Sequence, residues 1–581
     1  MYQGKGRCAC AGITYGKILH IKTPDITPAA HTCQSVDQEL SHLDIAINKA
    51  QIELDGLIEK ARVEIGQEQA EIFEIHRMML DDPDIVDNIR DMIKQGGISA
   101  ADASIAVGKE QAAIFEALDD DYMKERSADI KDVTGRLARI LRGGETVTLS
   151  ESCVIVADDL QPSQTVAMDR SKILGFVLRK GTQNSHASIL ARTMNIPLII
   201  NANLPADLTG QGRAATQSEE VLDLSGHTIA LNSVKGVFYI DPNEEIVDKL
   251  KIDKDIFEQQ RLRQLALRGL PGISKTGHRV HTFANIGQPD DVEQVLENDG
   301  EGIGLFRSEF LYLGRNDPPN EEEQYRAYAK VGSTMNGRLV IIRTLDIGAD
   351  KKVDYFNLPV EENPALGMRA LRICLTKVDI FKTQLRAIYR AAARGNIAMM
   401  FPMVTRLKEV EQAKAICAQV EQELKDEGKE YAVPKIGIMI ETPAAAILSD
   451  QLAKHVDFFS VGTNDLNQYT TACDRQNQDL GDFYDPHHEA VLELLRLIAK
   501  NAHANGIPAG ICGELAADPE LTDLFIEMGY DELSVSPGAV LALRERVRNS
   551  EAKCLNELTN SRTSLEPQKN SKPKASCLAK H

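Results

Sequence analysis

The chain has 581 residues, a length typical of several domains, and its hydrophobic fraction of 43% and charged fraction of 26% are ordinary for a globular protein. The net charge of −20 argues against a nucleic-acid binder, which needs a basic face, and it permits a basic protein partner. No apolar run reaches 18 residues, no secretory signal is visible, and the ten cysteines lack a repeated spacing, so we expect a reduced cytoplasmic protein without a membrane span.

The first 145 residues predict part of an α/β domain and then a helical bundle. We assign residues 1–30 to the first part of the α/β domain, with a short strand pair at 12–21 in which Gly16 supplies the turn or a bulge. From 31 to 145, apolar residues recur every three or four positions, which indicates about four amphipathic helices.

The bundle is also acidic. Between Ser35 and Glu145 there are 25 acidic and 13 basic residues. One interpretation is a set of solvated helix faces, and the other is a docking surface for a positively charged partner, whose encounter rate the opposite charge would raise.

The next segment completes the α/β domain, and the one after it is a linker. Residues 146–243 contain short β-rich runs such as Val154–Ala157, separated by loops, and one clear helix after Ser185. The bundle is therefore predicted to be an insertion in this domain. Residues 244–268 form a charged stretch with the pattern of a helical linker.

The segment 269–550 predicts a (β/α)8 barrel, and the polar tail 551–581 predicts disorder. Eight β-like runs in the segment, mostly separated by helical patterns, begin near Val280, Gly302, Val340, Ile397, Ile436, Phe458, Pro508 and Glu532. Active sites of such barrels lie at the C-terminal ends of the strands. Polar residues are predicted at that rim: Asn285, Arg307, Arg343, Glu441, Asn464, Asp465 and Cys512.

His186 is the first candidate for chemistry. It is predicted at the start of a helix after a small, flexible turn, where free backbone N–H groups and the helix dipole favour negative charge. A histidine there could carry a phosphoryl group. By spacing alone, a histidine that merely begins a helix is the favoured interpretation.

The rim residues indicate what could react there. Arg307 and Arg343 could form a fork for phosphate oxygens, or either could pair with a local carboxylate, Glu309 or Asp346. Arg475 could bring a third cation to the same rim.

Carboxylates and a thiol complete the set. Glu441 and Asp465 supply hard oxygens that suit Mg²⁺, although a lone carboxylate is more often a helix cap or an ion-pair partner. Cys512 could exchange a proton with a carbon atom, or it could be a small buried hydrophobe. Together these groups suit a small phosphorylated carboxylic acid with an acidic carbon position.

At these motifs the chain closely resembles the phosphoenolpyruvate–protein phosphotransferases, enzyme I of the bacterial sugar phosphotransferase system. The resemblance extends from about Gly12 to Arg548. Its strongest segments are Asp346-Ile347-Gly348, Glu361-Glu362-Asn363-Pro364, Phe401-Pro402-Met403, Glu441-Thr442-Pro443-Ala444, Gly462-Thr463-Asn464-Asp465-Leu466 and Cys512-Gly513-Glu514-Leu515.

The resemblance implies a role for each candidate. His186 would be phosphorylated by phosphoenolpyruvate and would pass the phosphoryl group to a histidine of HPr, the small carrier protein, in the first step of sugar uptake. Cys512 would be the proton donor. The substrate-binding residues would be Arg307, Arg343, Asn464, Asp465 and Arg475, and Mg²⁺ would be held by Glu441 and Asp465. The bundle would bind HPr, and the barrel would form a homodimer.

Two departures from the family pattern remain. Thr182 and Asn184 stand where glycine and threonine are usual, and residues 203–237 match poorly where a tight strand–turn–strand is expected. Two other interpretations stay open. A pyruvate phosphate dikinase or phosphoenolpyruvate synthase would need an ATP-binding domain, for which no Gly-rich phosphate loop is present. A regulatory protein on an inactive scaffold would have lost the phosphoryl transfer.

Overall fold

The structure of the protein is a computed structural model that divides into two compact units, Met1–Arg261 and Leu262–His581. It describes residues 1–21, 35–64, 67–116, 121–144, 149–160, 164, 168–181, 186–193, 196–207, 213–214, 222–313, 315, 317–348, 353–358, 361–475, 477, 480 and 483–554. Within these ranges the side chains of 63–64, 67–71, 116, 121–126, 128, 186, 189–190, 193, 207, 213–214 and 354 are not described. The predicted disorder of the tail therefore concerns residues that, from 555 onward, lie outside this description.

The first unit is built on a mixed eight-stranded sheet in the order β1-β10-β9-β3-β4-β5-β6-β2. The strands are β1 Tyr2–Lys5, β2 Arg7–Cys10, β3 Ile13–Ile21, β4 Cys153–Ala157, β5 Ile173–Leu178, β6 Leu198–Ile200, β9 Thr228–Asn232 and β10 Val237–Ile240. Strands β3 to β6 pair in parallel. Every residue of β4 is buried, because hydrophobic clusters cover both faces of the sheet.

The predicted strand pair at 12–21 is wrong, since these residues form the single strand β3. Gly16 sits in its middle, opposite Ile229 of β9. A Cβ at this position would lie 2.6 Å from Leu174 Cδ1. The glycine is therefore needed for close packing inside the sheet rather than for a turn.

The helical bundle is inserted between β3 and β4, as predicted. In the described part of 35–144 five helices form it, one more than expected: α1 Val36–Glu64, α2 Gln67–Met79, α3 Pro83–Lys94, α4 Ala100–Glu116 and α5 Asp121–Leu141. Asp82-Pro83 and Gly96-Gly97 lie at two of the breaks between these helices. The side chain of Asp82 caps α3, Pro83 is its first residue, and Gly96 and Gly97 both have φ of +82°.

The described residues of the unit also include two α-helices, the second of which extends beyond Arg261, and a small sheet. Helix α6, His186–Thr193, starts at the candidate histidine, and α7, Glu244–Leu265, forms the predicted linker helix. In the poorly matching segment, β7 Pro205–Asp207 pairs with β8 Arg213–Ala214 as a separate two-stranded sheet. Residues 208–212 and 215–221 of this segment lie outside the described residues.

The second unit is a closed parallel barrel, which confirms the predicted fold class. Its eight strands, all described, begin within one residue of the predicted positions. They are β11 His281–Ile286, β12 Ile303–Arg307, β13 Val340–Arg343, β14 Ile397–Phe401, β15 Lys435–Ile440, β16 Phe458–Val461, β17 Ala509–Ile511 and β18 Glu532–Val535. Apolar runs identify these strands because helices cover the barrel outside and side chains fill it inside.

Helices of the described residues follow the barrel strands. They are α8 Asp291–Glu297, α9 Glu321–Thr334, α10 Leu371–Thr376, α11 Val378–Ala392, α12 Leu407–Asp426, α13 Pro443–Ile447, α14 Ser449–Leu452, α15 Thr463–Thr471, α16 Glu489–Ala504, α17 Thr522–Met528 and α18 Val540–Asn549. No helix among the described residues has the length and apolar character needed to cross a membrane.

Candidate active site

The barrel rim surrounds a cavity of about 440 Å³. Parallel strands place their C-terminal ends at one edge, and side chains that follow those ends converge there. Every barrel residue given a catalytic, substrate or metal role lines this cavity: Arg307, Arg343, Glu441, Asn464, Asp465, Arg475 and Cys512. Asn285, also predicted at the rim, does not line it. Its side chain donates instead to the carbonyls of Cys512 and Ser534.

Arg307 and Arg343 are the last residues of β12 and β13 and are register partners. Arg343 is buried, and its guanidinium pairs with Glu309 at 2.6 Å and with Asp346 at 2.8 Å. Burial works against its charge, but Asp346 and Glu309 outweigh that effect, so the pKa of Arg343 is raised. Arg343 therefore pairs with both local carboxylates and also lines the cavity.

Arg307 and Arg475 are in a different position. Within the described residues neither guanidinium lies within ion-pair distance of a carboxylate. The pKa of Arg307 is lowered, chiefly by desolvation and then by the nearby charge of Arg343. An anion bound between Arg307 and Arg343 would offset both the desolvation of Arg307 and its repulsion from Arg343. This side of the cavity is therefore suited to a phosphate or carboxylate group.

Arg369 is a site residue that the sequence reasoning missed. It is buried, and its guanidinium donates to Asp346 at 3.1 Å and to the Tyr469 hydroxyl at 3.1 Å, with Asp465 at 3.5 Å. Burial opposes its charge, but Asp346 and Asp465 raise the pKa of Arg369 overall. It thereby holds together acidic groups from the loop after β13 and from α15.

Strand ends gave no signal for Arg369, because it lies on a loop between β13 and α10. The available signal was Gly348 in the segment Asp346-Ile347-Gly348. Gly348 has φ of +116°, and a Cβ there would lie 2.4 Å from the Cβ of Arg369. A glycine with this conformation next to a motif indicates a closely packed neighbour, which here is the arginine.

Glu441 and Asp465 form the acidic side of the cavity. Glu441 follows β15 and is buried, and one oxygen accepts the Met403 N–H at 2.6 Å. Desolvation, with a further contribution from Asp465 and Asp346, raises the pKa of Glu441 to about 8. Gly462 leaves room here, since a Cβ on it would lie 2.9 Å from Glu441 Oε2. A cation beside the two carboxylates would offset their repulsion.

The donor set limits the kind of metal that fits. Among the described residues no group of three or more His, Cys, Asp or Glu side chains is arranged to hold an ion. Two carboxylates on a solvent-filled cavity match Mg²⁺, which retains waters and takes substrate oxygens as further ligands. They do not match zinc, which prefers closed nitrogen and sulfur sites.

Asn464 and Cys512 lie just after β16 and β17. Asn464, in the first turn of α15, donates to Glu514 Oε1 at 3.0 Å and accepts the Glu514 N–H at 3.0 Å, which fixes the start of α15 to the segment after β17. Cys512 is 2% exposed, and its sulfur lies 3.6 Å from the Val461 carbonyl oxygen. Burial raises the pKa of the Cys512 thiol to about 11, so it holds its proton at neutral pH.

His186 belongs to the other unit. The structure places it as the first residue of α6, in agreement with the predicted helix start, but its side chain and residues 182–185 lie outside the description. Ala187 and Ala191 of this helix pack in the cluster that covers one face of the sheet. Burial of this face orients α6 on the sheet.

Comparisons with known proteins agree along the length of the chain. Three family models match: PEP-utilising enzyme, N-terminal, at residues 5–126; PEP-utilising enzyme, mobile domain, at 149–222; and PEP-utilising enzyme, PEP-binding domain, at 261–552. A phosphoenolpyruvate-protein phosphotransferase of Priestia megaterium is 39% identical over 94% of this chain and 93% of its own. Proteins with the same name from Bacillus subtilis (strain 168) and Haemophilus influenzae are 39% and 38% identical, each over 94% of this chain and 94% and 93% of their own lengths.

Among solved structures, an NMR structure of an enzyme I protein is 31% identical and matches 44% of this chain and 99% of its own. Its TM-score is 0.35, too low to support an argument about the fold.

Proposed function

The chain belongs to the phosphoenolpyruvate-protein phosphotransferase family, and from this premise we propose how its own residues transfer the phosphoryl group. Phosphoenolpyruvate binds at the barrel rim and phosphorylates His186, and phosphorylated His186 then passes the group to a histidine of HPr. The observation that supports this site most strongly is the pair of unmatched cations, Arg307 and Arg475, in a cavity whose other arginines are neutralised by carboxylates.

The substrate's phosphate and carboxylate would lie against the cationic side of the cavity. We assign Arg307, Arg343, Asn464, Asp465 and Arg475 to this binding site, and add Arg369 as a residue that positions Asp346 and Asp465. Glu441 and Asp465 would hold Mg²⁺, which would draw negative charge away from the phosphoryl oxygens as the P–O bond breaks. Burial and the neighbouring Asp465 and Asp346 raise the pKa of Glu441, and a cation bound beside it would stabilise its ionised form. This supports the assignment.

Cys512 would then protonate the enolate. When the phosphoryl group leaves, the enolate of pyruvate needs a proton at its methylene carbon. A thiol that keeps its proton at neutral pH and lines the cavity can deliver it, whereas a thiolate could not.

The partner, the domain boundaries and the location follow from the resemblance. The excess of acidic residues between Ser35 and Glu145 supports the proposal that the bundle binds a basic face of HPr. We retain the predicted domains 1–30, 31–145, 146–243, 244–268 and 269–550. We also propose a homodimer formed through the barrel and a cytoplasmic location.

The test is incubation with phosphoenolpyruvate and Mg²⁺, with pyruvate release and intact protein mass as readouts. We expect a burst of pyruvate and the addition of one acid-labile phosphoryl group in the wild type. His186→Ala should abolish the mass increase. His42→Ala, which removes an exposed histidine of α1, is the matched control and should be phosphorylated normally.

A phosphoryl group that appears on His186→Ala would contradict the assignment of the histidine. A folded wild type that releases no pyruvate and gains no mass would favour a regulatory protein on an inactive scaffold. ATP should not change the phosphorylation state, and a change would favour a dikinase-like reaction.

A further inference from the structure

The barrel interior contains a carboxyl group that the reaction described above does not use. Glu532 is the first residue of β18, and its side chain points into the barrel, where Gly304 and Gly510 make room for it. A Cβ on Gly304 would lie 2.1 Å from Glu532 Oε1, and a Cβ on Gly510 would lie 3.2 Å from Glu532 Oε2. Oε1 is buried and makes no hydrogen bond to any described residue. Such a group usually has a function, because an unpaired buried carboxylate is costly.

The surroundings of Glu532 extend toward Cys512. Ser460, Gly510 and Glu532 are register partners on the neighbouring strands β16, β17 and β18. Because Gly510 has no side chain, none stands between the Ser460 hydroxyl and the Glu532 carboxyl at that level. Cys512 lies two residues beyond Gly510 on the same inward face.

Ser460 lies between Glu532 and Cys512 in the proposed path. Its hydroxyl is buried beside the Cys512 sulfur, where hydrogen bonding lowers the thiol pKa against the larger effect of burial. Apart from this interaction the hydroxyl makes no hydrogen bond to a described residue, and Ser460 is in register with Gly510 and Glu532 on the neighbouring strands.

A second polar chain holds the same strands in place. The Ser534 hydroxyl donates to Asn285 Oδ1 at 2.7 Å, and Asn285 donates to the Cys512 carbonyl at 3.0 Å. Cys512 also borders an apolar cluster inside the barrel that includes Leu305, Ile341, Met400 and Met439. The polar groups Ser534 and Asn285 therefore lie on the β18 and β11 side of Cys512.

We propose that Glu532 is the proton reservoir that returns a proton to Cys512 after the thiol has protonated the enolate, an inference that rests on the proposed function. In the first step the S–H bond of Cys512 breaks, a C–H bond forms at the methylene carbon, and a thiolate remains. In the second step the Ser460 hydroxyl gives its proton to the thiolate and takes one from the Glu532 carboxyl. Glu532, which is partly exposed, then takes a proton from water.

The acidities of the groups agree with this direction. Desolvation, with a smaller effect of Asp531, raises the pKa of Glu532 to about 8, while that of Cys512 is about 11. Glu532 therefore holds its proton at neutral pH and is still the stronger acid of the two. Asp531, Cys512 and His281 are the titratable groups near it among the described residues. β11 brings His281, the register partner of Glu532, whose pKa is lowered chiefly by desolvation. β12, β17 and β16 bring Gly304, Gly510 and Ser460.

The experiment compares the loss of deuterium with the exchange of carbon. The full-length protein is incubated with phosphoenolpyruvate, Mg²⁺ and pyruvate that carries a trideuterated methyl group and a ¹³C carboxyl carbon. Mass spectrometry then follows deuterium loss from pyruvate and ¹³C transfer into phosphoenolpyruvate. In the wild type a deuteron can leave through Glu532 while the enolate is still bound, so deuterium loss should exceed carbon transfer.

The variant Glu532→Gln keeps the shape of the side chain but holds no exchangeable acid proton. We expect its ratio of deuterium loss to carbon transfer to fall at least about threefold, while carbon transfer itself falls by less than about threefold. Asp531→Asn, which changes the neighbouring carboxyl that bonds His503, is the control and should keep the wild-type ratio. Ser460→Ala should lower the ratio as well, and it provides the test if Glu532→Gln does not fold.

The same ratio in wild type and in folded Glu532→Gln or Ser460→Ala would overturn the inference and leave the proposed function intact. Absence of ¹³C transfer in the wild type would instead overturn the proposed function, and the inference with it.

Discussion

Two networks of arginines and carboxylates lie on the same barrel, one on its outer helices and one at its rim. In the outer network Arg386 contacts Glu321 and Glu427, each at 2.6 Å, and Arg390 contacts Glu321 at 2.6 Å and Glu322 at 2.9 Å. Each of these guanidiniums is balanced by carboxylates from α9 or from the end of α12. The network joins the helices α9, α11 and α12.

The rim network is not balanced in this way. Arg343 and Arg369 share Asp346, and Glu441 stays buried with a raised pKa, while Arg307 and Arg475 have no carboxylate within ion-pair distance among the described residues. An ion-pair network that satisfies itself can stabilise helix packing but has little affinity left for a ligand. Unmatched charges on a cavity wall need a ligand, and this is the feature that distinguishes a binding site from a structural network.

The largest expected effect is the loss of activity when Arg307, one of the two unmatched cations, is removed. We expect Arg307→Ala to lower kcat/KM for phosphoenolpyruvate by about 10²–10³-fold, because a fixed charge on the phosphoryl or carboxylate group is lost. Its melting temperature should change little, since Arg307 forms no ion pair with the described residues. The measurement is pyruvate release in the presence of Mg²⁺, together with thermal unfolding.

Arg386→Met is the matched control from the outer network. It should lower the melting temperature by a few degrees and change kcat/KM by less than about twofold, since it loosens helix packing away from the cavity. Equal losses of activity in Arg307→Ala and Arg386→Met would contradict the distinction between the two networks.

A smaller effect is expected for the acidic side of the rim. Glu441→Gln preserves the acceptor for the Met403 N–H but removes the charge that would attract the metal. We expect the Mg²⁺ concentration for half-maximal pyruvate release to rise by at least about tenfold. Glu427→Gln, in the outer network, should leave the Mg²⁺ dependence as it is in the wild type.

An unchanged Mg²⁺ requirement in Glu441→Gln would remove this residue from the metal site. Removal of Mg²⁺ with a chelator should stop pyruvate release from the wild type, and full restoration by Mg²⁺ is the necessary check that the protein is still folded.

The smallest effect is on stability, and its dependence on pH has opposite signs in the two networks. Without metal, the pKa of Glu441 is raised to about 8 by desolvation, so the folded state binds this proton more tightly than the unfolded state. Stability contributed at this position therefore falls as pH rises from the ordinary range of a glutamate toward 8. Over that pH interval the free energy of unfolding of Glu441→Gln should rise relative to that of the wild type, by on the order of 1–3 kcal/mol.

The pKa of Glu321 is lowered, because hydrogen bonds from Arg386 and Arg390 outweigh its desolvation. Its contribution to stability is present above the ordinary pKa of a glutamate and is lost as pH falls through the lowered value. Glu321→Gln should therefore cost stability at neutral pH, by less than about 1 kcal/mol because the group is partly exposed and screened. Denaturant unfolding at several pH values measures both effects, and slopes of the same sign for the two variants would contradict the comparison.

The barrel was the most predictable part of the fold. Its strands are buried on both sides, so they appear as short apolar runs such as Ile397–Phe401, and polar residues at or near the ends of most runs mark the rim. The helical bundle was predictable from its period of three to four residues. Gly16 misled the prediction, because a glycine chosen for packing against Leu174 has the same sequence signature as a glycine that makes a turn.

The rim positions of the candidate site residues could be predicted one by one from the sequence, but their neighbours from distant parts of the chain could not. The positions of Arg307, Arg343, Glu441 and Cys512 at the rim follow from the strand pattern and the family resemblance. Arg369 was missed because it lies on a loop, and its partners Asp346 and Asp465 are 23 and 96 residues away.

The sequence by itself determined the periodicities, the strand ends and the residue types, because each depends on a few neighbouring positions. Only the tertiary structure decided which charges are matched. Arg343 and Arg307 have the same local pattern, yet the first pairs with two carboxylates and the second with none of those described. Pairing and burial depend on distances between strands and loops, and these distances set the energy of a charge in the protein interior.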